Sequence, residues 1–285
     1  MSWLGHLHLS YRLDDHDTAA PPRTIAHDRH SGPLRVLQRL YPEGDAICHH
    51  VLVHPPGGIV GGDVLRITGE LGAGCHALIT TPGATRFYRS AGDEALQDVD
   101  MHVGPGARLE WLPLETIAYD GCRARNRLKF SLAADAEMMG WDILALGLPA
   151  SRMPWLTGSY QQHVEISDIW LDRARIDASD ATLLASGPGW AGHGVLASLW
   201  FAAGSTLAAH RRDALLDAAR SCTPLNGNFT HSMMGGVTTP RDSLVVVRML
   251  APRVESAQLA MRQIWQEWRA LAWSLPRHEP RIWGA

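Results

Sequence analysis

The sequence predicts a mainly β protein of layered sheets, with a few α-helices toward its C-terminus. Three observations point there. Side chains alternate with a period of two through most of the first two thirds. Short Gly and Pro clusters separate these runs at close intervals. Only the last third carries long stretches of helical period.

The strands follow in order. Arg35, Leu37 and Arg39 alternate with Leu34, Val36, Gln38 and Leu40, and CHHVLV covers Cys48–Val53. VLRITGEL spans Val64–Leu71 and HALIT spans His76–Thr80. DVDMHV (Asp98–Val103), RLEWL (Arg108–Leu112), KFSL (Lys129–Leu132) and HVEISDI (His163–Ile169) continue the pattern. Turn signals stand between them at Gly32-Pro33, Pro55–Gly58, Gly72–Gly74, Pro82-Gly83 and Gly104–Gly106. Strand–turn–strand without a helical interval fits a sandwich, a barrel or a β-helix. GELGAGCHALIT and MHVGPGARLEWL share one shape, strand then Gly-x-Gly then strand, about 32 residues apart. That spacing suggests hairpins recurring through a layered β structure.

Residues 205–285 read as a mixed helix and strand appendage on a β-rich 1–204, the whole forming one domain. Ser205–Arg220 is helical, with Leu207, Leu215 and Ala218 on one face and Ser205 or Thr206 placed to cap it. NFTHSMMGGVTTP reads as a strand ending in a turn, and DSLVVVRML as a buried strand. Pro252 opens a second helix reaching Trp273. Its apolar stripe is Ala257, Met261, Ile264, Trp265, Trp268 and Leu271, with Glu255, Arg262, Glu267 and Arg269 around the rest. The tail PRHEPRIWGA ends in an apolar Ile282-Trp283, which favours docking on a partner over free exposure.

Composition narrows the function classes. Hydrophobic residues make up 46% and charged residues only 19%, which fits either a surface covered by partners or uncharged polar loops. The formal charge of -3 and the lack of a basic stripe argue against nucleic acid. Ala181–Ala209 carries no charged side chain, but SGPGWAGHG interrupts it, so VLASLWFAAG reads as a buried strand and not a membrane span. The first residues lack a basic head and an apolar run. Cys48, Cys75, Cys122 and Cys222 form no CxxC pair, which speaks against a zinc knot and for reduced thiols in a cytoplasmic protein.

HPPGGIVGGD, from His54 to Asp63, is the most unusual stretch. Asp63 stands where a phosphate loop needs lysine, and a strand follows where that loop needs a helix. No GxSxG elbow is present, and Glu110 with Glu115 is a weak glycosidase pair. Metal ligation has candidates in His54 and Asp63, with Cys48 and His50 on one face and His49 on the other face of the strand just upstream, and Cys75-His76 after the next turn on a strand expected to lie near. The plainest reading is geometric: Gly57, Gly58, Gly61 and Gly62 permit tight turns and close backbone approach.

Several motifs together resemble the urease accessory protein family UreD, also called UreH. They are Tyr41-Pro42-Glu43, Cys48-His49, Leu52–Asp63, Gly74-Cys75-His76, Thr80–Ser90 and Leu109–Pro113. Trp141-Asp142 before Leu146-Gly147-Leu148-Pro149, and Pro280–Trp283, extend the match over nearly the whole chain. The resemblance implies a mainly β, β-helix-like fold with a few helices and no enzymatic activity. It implies a scaffold in nickel delivery, bound to the urease apoprotein and to a helical partner UreF, which recruits the GTPase UreG. Nickel would then be cargo in transit through an interior polar tunnel, with no tightly bound cofactor. Carried over by position, the tunnel candidates are Asp63, Thr85, Asp142 and Asp172. Near the Tyr-Pro-Glu turn, where relatives carry a lining glutamate, this chain has Ala46 with Asp45 beside it. The competing readings are a metal-dependent enzyme built on the His54/Asp63 region and a β-rich adhesion or carbohydrate-binding module.

Overall fold

Between residues 64 and 166 the chain passes back and forth between two sheets and lays each new strand parallel to one it made a coil earlier. The computed structural model of the chain describes residues 2–14, 22–222 and 233–284. The strands are β1 (Leu4–Asp14), β2 (Arg23–Ser31), β3 (Arg35–Leu40), β4 (Ile47–Val53), β5 (Val64–Leu71), β6 (His76–Thr80) and β7 (Thr85–Phe87). They continue with β8 (Ala95–Val103), β9 (Arg108–Trp111), β10 (Thr116–Ala118), β11 (Cys122–Leu132), β12 (Glu137–Leu146), β13 (Gly158–Ile166) and β14 (Trp170–Asp177). A short helix α1 (Ala181–Ala185) precedes β15 (Val195–Ala203) and α2 (Ala209–Ser221). β16 (Met234–Arg241), β17 (Leu244–Ala251) and α3 (Val254–Trp273) complete the order.

The fold is mainly β with solenoid-like stacking and three helices, two of them near the C-terminus. The first sheet runs β14-β13-β11-β8-β5-β1-β2, and the second runs β16-β17-β15-β12-β9-β6-β4-β3, with β7 and β10 attached beside β12. The two Gly-x-Gly turns are therefore not hairpins. β5 and β6 lie in different sheets, and Leu71 pairs with Val103 while His76 pairs with Arg108. The spacing of about 32 residues is one solenoid coil. The turns stack through Gly104 N–H to Leu71 O and Gly74 N–H to Pro105 O, both 2.8 Å. A Cβ on Gly104 would stand 2.6 Å from that Leu71 oxygen, so the stacked corner requires glycine there.

Two apolar layers hold the molecule. One lies between the sheets, with Leu7, Leu9, Val99, Phe130, Tyr160 and Val164 among its buried residues. The other lies between the second sheet and α2 and α3, with Trp141, Leu199, Phe201, Trp265 and Trp268. Strand β12 divides them: Met138 and Leu144 face the inter-sheet layer, and Met139, Trp141 and Ile143 face the helices. Buried on both faces, EMMGWDILAL shows almost no alternation, which hid it as a strand. β1 and β2 were likewise unmarked in the sequence pattern.

The C-terminal third departs from expectation in four places. α2 begins four residues after Ser205, and neither Ser205 nor Thr206 caps it; the Ser205 hydroxyl instead donates to Ala134 O. Leu271 is half exposed, off the buried stripe of α3. Arg269, expected on the solvent side, is fully buried. The tail docks on this chain itself: Trp283 packs on Trp141 and Trp265, and its N–H donates to Thr80 Oγ1 at 2.8 Å. The strand expected from NFTHSMM onward is seen as β16, and its 228–232 portion lies outside the described residues. All four cysteines are buried and free. Among the described residues no helix is long and apolar enough to cross a membrane.

Candidate functional site

The HPPGGIVGGD loop threads between β4 and β5 and is shaped by contacts with the β7–β8 segment. Ile59, nearly fully buried, bonds through its N–H to Arg86 O and accepts from Tyr88 N–H. An ideal Cβ on Gly58 would fall 2.0 Å from the Tyr88 ring, and one on Gly61 2.3 Å from Ser90 Oγ. Side chains at Gly58 and Gly61 would therefore displace their neighbours, while Gly57 and Gly62 supply positive φ of 80° and 90°. Asp63 closes the loop. Its Oδ1 accepts Trp3 N–H at 2.8 Å and its Oδ2 accepts Val60 N–H at 3.1 Å.

His54, Gly57, Gly58 and Thr85 line a cavity of about 190 Å³ between the sheets, together with Thr80, Thr81, Gln97 and Trp111. Burial lowers the His54 pKa, partly opposed by the Asp63 charge. Thr85 starts β7, where its N–H bonds Glu115 O.

From this cavity a chain of polar side chains enters the inter-sheet layer. Gln97 Nε2 donates to Asn126 Oδ1 at 3.0 Å. Asn126 Nδ2 donates to Asp142 Oδ1 at 3.2 Å, and Gln162 Nε2 donates to Asp142 Oδ2. Asn126, Asp142 and Gln162 are all buried. Burial, and then the charge of Asp172, raise the Asp142 pKa from 3.8 to about 7. The Tyr160 hydroxyl lies against Asn126 and Thr116, and the Ser198 hydroxyl is buried beside this group with no hydrogen-bond partner among the described residues. Asp172, on β14, is paired with Arg248 of β17 at the rim of the two sheets. Asp142 thus belongs to this buried polar group, Thr85 shares the cavity lining with Gln97, and Asp172, paired with Arg248 at the sheet rim, acts on Asp142 through its charge. Asp63 stands apart, engaged with backbone amides.

Cys48 and Cys75 are fully buried, and burial pushes both thiols up to about 11. His76 Nε2 is 2.8 Å from Glu110 Oε1. Among the described residues, the one trio of ligand-type side chains gathered to metal dimensions is Glu43, His49 and His278, which includes neither His54 nor Asp63. Glu110 is no glycosidase carboxylate either. It is locked by His76, by the Trp265 N–H and by Arg269, whose Nε lies 3.1 Å away. Burial alone would raise the Glu110 carboxyl, but the His76 hydrogen bond and the Arg269 charge outweigh it and hold it below the ordinary range.

A family model described as UreD urease accessory protein matches residues 4–284. The chain belongs to the UreD family of urease accessory proteins. The Urease accessory protein UreD of Leptothrix cholodnii is 58% identical over 283 residues, covering 99% of each chain. The proteins of that name from Methylibium petroleiphilum and Variovorax paradoxus are 55% and 53% identical, again over 99% of each chain.

In this UreD-family chain, sequence reasoning missed the buried ionic group Glu43–Arg269–Glu110 and the amides Gln97, Asn126 and Gln162. The only signal for Glu43 was its place in Tyr41-Pro42-Glu43. For the amides there was none, because polar residues on alternating strands normally face water.

Proposed function

We propose that this chain is a non-catalytic maturation factor that conducts nickel into the urease apoenzyme. It acts in the cytoplasm, inside a complex with UreF and, through UreF, UreG. The observation that carries this reading is the Asp142 carboxylate, buried between two sheets and surrounded by neutral amides in place of a fixed cation. Elsewhere in the core the buried Glu110 has Arg269 against it, whereas among the described residues Asp142 is hydrogen-bonded by Asn126 and Gln162. A carboxylate with no cation costs free energy when ionised, and a passing divalent ion relieves that cost.

The chemistry of the band suits transit. Oxygen ligands from one carboxylate, amide carbonyls and water hold nickel loosely, whereas a thiolate and imidazole cage would trap it. A conduit needs sites weak enough to leave. Asp142 supplies charge midway, the Thr85 cavity lies toward one end and Asp172 toward the other.

The test is co-expression of urease with its accessory proteins, with this chain intact, absent or carrying Asp142→Ala. Nickel per urease active site and ureolytic activity are measured. The reading expects both to collapse without the chain and to fall strongly in the variant. Equal nickel content with and without the chain rules it out.

A further inference from the structure

We infer that Glu43, His49 and His278 form a second divalent transition-metal site, separate from the Asp142 band, whose ion clips the C-terminal tail to β4. It stands on its own geometry and does not depend on the urease role.

The three residues come from three parts of the chain: the Tyr41–Gly44 turn, β4, and the segment after α3. One ligand atom from each lies within 4.8 Å of the others. Glu43 Oε1 and His49 Nε2 are 2.8 Å apart. Adjacent ligands of an ion with bonds of about 2.1 Å sit roughly 3.0 Å apart in an octahedron and 3.4 Å in a tetrahedron. An ion thus enters between them with small side-chain movement, replacing the hydrogen bond they now share. The proton on His49 Nε2 leaves or moves to Nδ1 as the metal takes that nitrogen. His278 stands edge-on to the His49 ring at 5.6 Å, and its Nε2 is buried with no hydrogen-bond partner among the described residues. A buried ring nitrogen without a partner is costly, and metal ligation supplies one.

Two imidazoles and one carboxylate select nickel, zinc or cobalt over calcium and magnesium, which prefer all-oxygen shells. Charge permits it. With both imidazoles neutral, Glu43 and Glu110 balance Arg269 and Arg281, which acts on His278 from the tail, so these side chains put no net positive charge beside the ion. Because Arg269 already bonds Glu43, the carboxylate is a moderated ligand, and three protein ligands leave positions for water. These features favour exchangeable binding over a closed cage. His278 lies on the segment that leads to Trp283, so a bound ion also holds the tail down.

The experiment titrates the metal-free full chain with nickel and zinc salts by calorimetry, and follows cobalt(II) absorption and the thermal unfolding midpoint. His278→Ala is the variant, since it removes a ligand outside any strand or helix. The expected result is one fewer bound equivalent, or at least a tenfold loss of affinity for that equivalent. The metal-induced rise in unfolding midpoint should vanish, while the metal-free midpoint stays close to the parent's. A parent chain that takes up no metal overturns the inference. So does a variant with unchanged stoichiometry, affinity and thermal response. Asp142→Asn, run in parallel, should leave this equivalent intact; its loss there instead would assign the binding to the interior band and overturn the inference.

Discussion

Arg269 and Glu43, 226 residues apart in the chain, meet in a buried ion pair in which one guanidinium nitrogen lies 2.9 Å from each carboxylate oxygen. The same guanidinium reaches Glu110, so one α3 side chain satisfies carboxylates from both the Tyr-Pro-Glu turn and β9. Removing it takes the fixed cation from two acids, one with no solvent exposure at all, and leaves them only neutral donors and histidine. Arg269→Met should therefore cost about 3–5 kcal/mol, the range for breaking a buried pair on one side. Urea unfolding followed by tryptophan fluorescence measures this, and a loss under about 1 kcal/mol contradicts it.

Asp142 makes stability depend on pH in the opposite sense to a salt-bridged acid. Its pKa is raised in the folded chain to about 7, so the folded state holds the proton more tightly than the unfolded state does. The stabilisation is complete below about pH 4 and is lost as pH rises toward and through 7. A tenfold change in proton affinity is about 1.4 kcal/mol, so the full loss is on the order of 4 kcal/mol. Asp142→Asn, which cannot ionise, should be more stable than the parent at pH 8, with the gap closing toward pH 5. Unfolding midpoints at the two pH values decide it; an equal gap at both contradicts the burial argument.

Much of this fold was legible because strand and turn chemistry are local. Val64–Leu71 and His76–Thr80 were bounded correctly by the glycines around them, and the recurrence of Gly-x-Gly was the coil repeat itself. What escaped was non-local. EMMGWDILAL is apolar on both sides because a sheet covers one face and helices the other. Arg269 read as a solvent residue because its partners lie far away in sequence. Asp142 drew notice only through the Trp141-Asp142 resemblance, since no spacing rule connects it to Asn126 and Gln162.

Trp283 ties the last residues to the second sheet. Its ring contacts Trp141 and Trp265 at 5.3 Å, Arg262 lies over it at 4.6 Å, and its N–H ends on Thr80. Trp283→Ala should cost about 3–5 kcal/mol, as for other large aromatic truncations in a packed site. It should also expose residues near 278–284 to limited proteolysis. A variant with parental stability and the same cleavage pattern would mean the tail contributes little to the fold.

Asp63 and Asp142 carry the same charge, but their surroundings assign them different tasks, and paired variants separate them. Both Asp63 oxygens are taken by the backbone amides of Trp3 and Val60, so Asp63→Ala leaves two donors without a partner and should cost about 1–3 kcal/mol. Any loss of urease activation should then follow the loss of folded chain and recover at lower temperature. Asp142→Asn should behave in reverse at neutral to alkaline pH: a more stable chain, still assembled with its partners, that delivers less nickel. The comparison measures folded protein, complex formation and nickel per urease for each variant at two temperatures. If Asp63→Ala stays fully folded yet fails to activate urease at both, then the loop aspartate touches the cargo directly and its role extends beyond closing the turn.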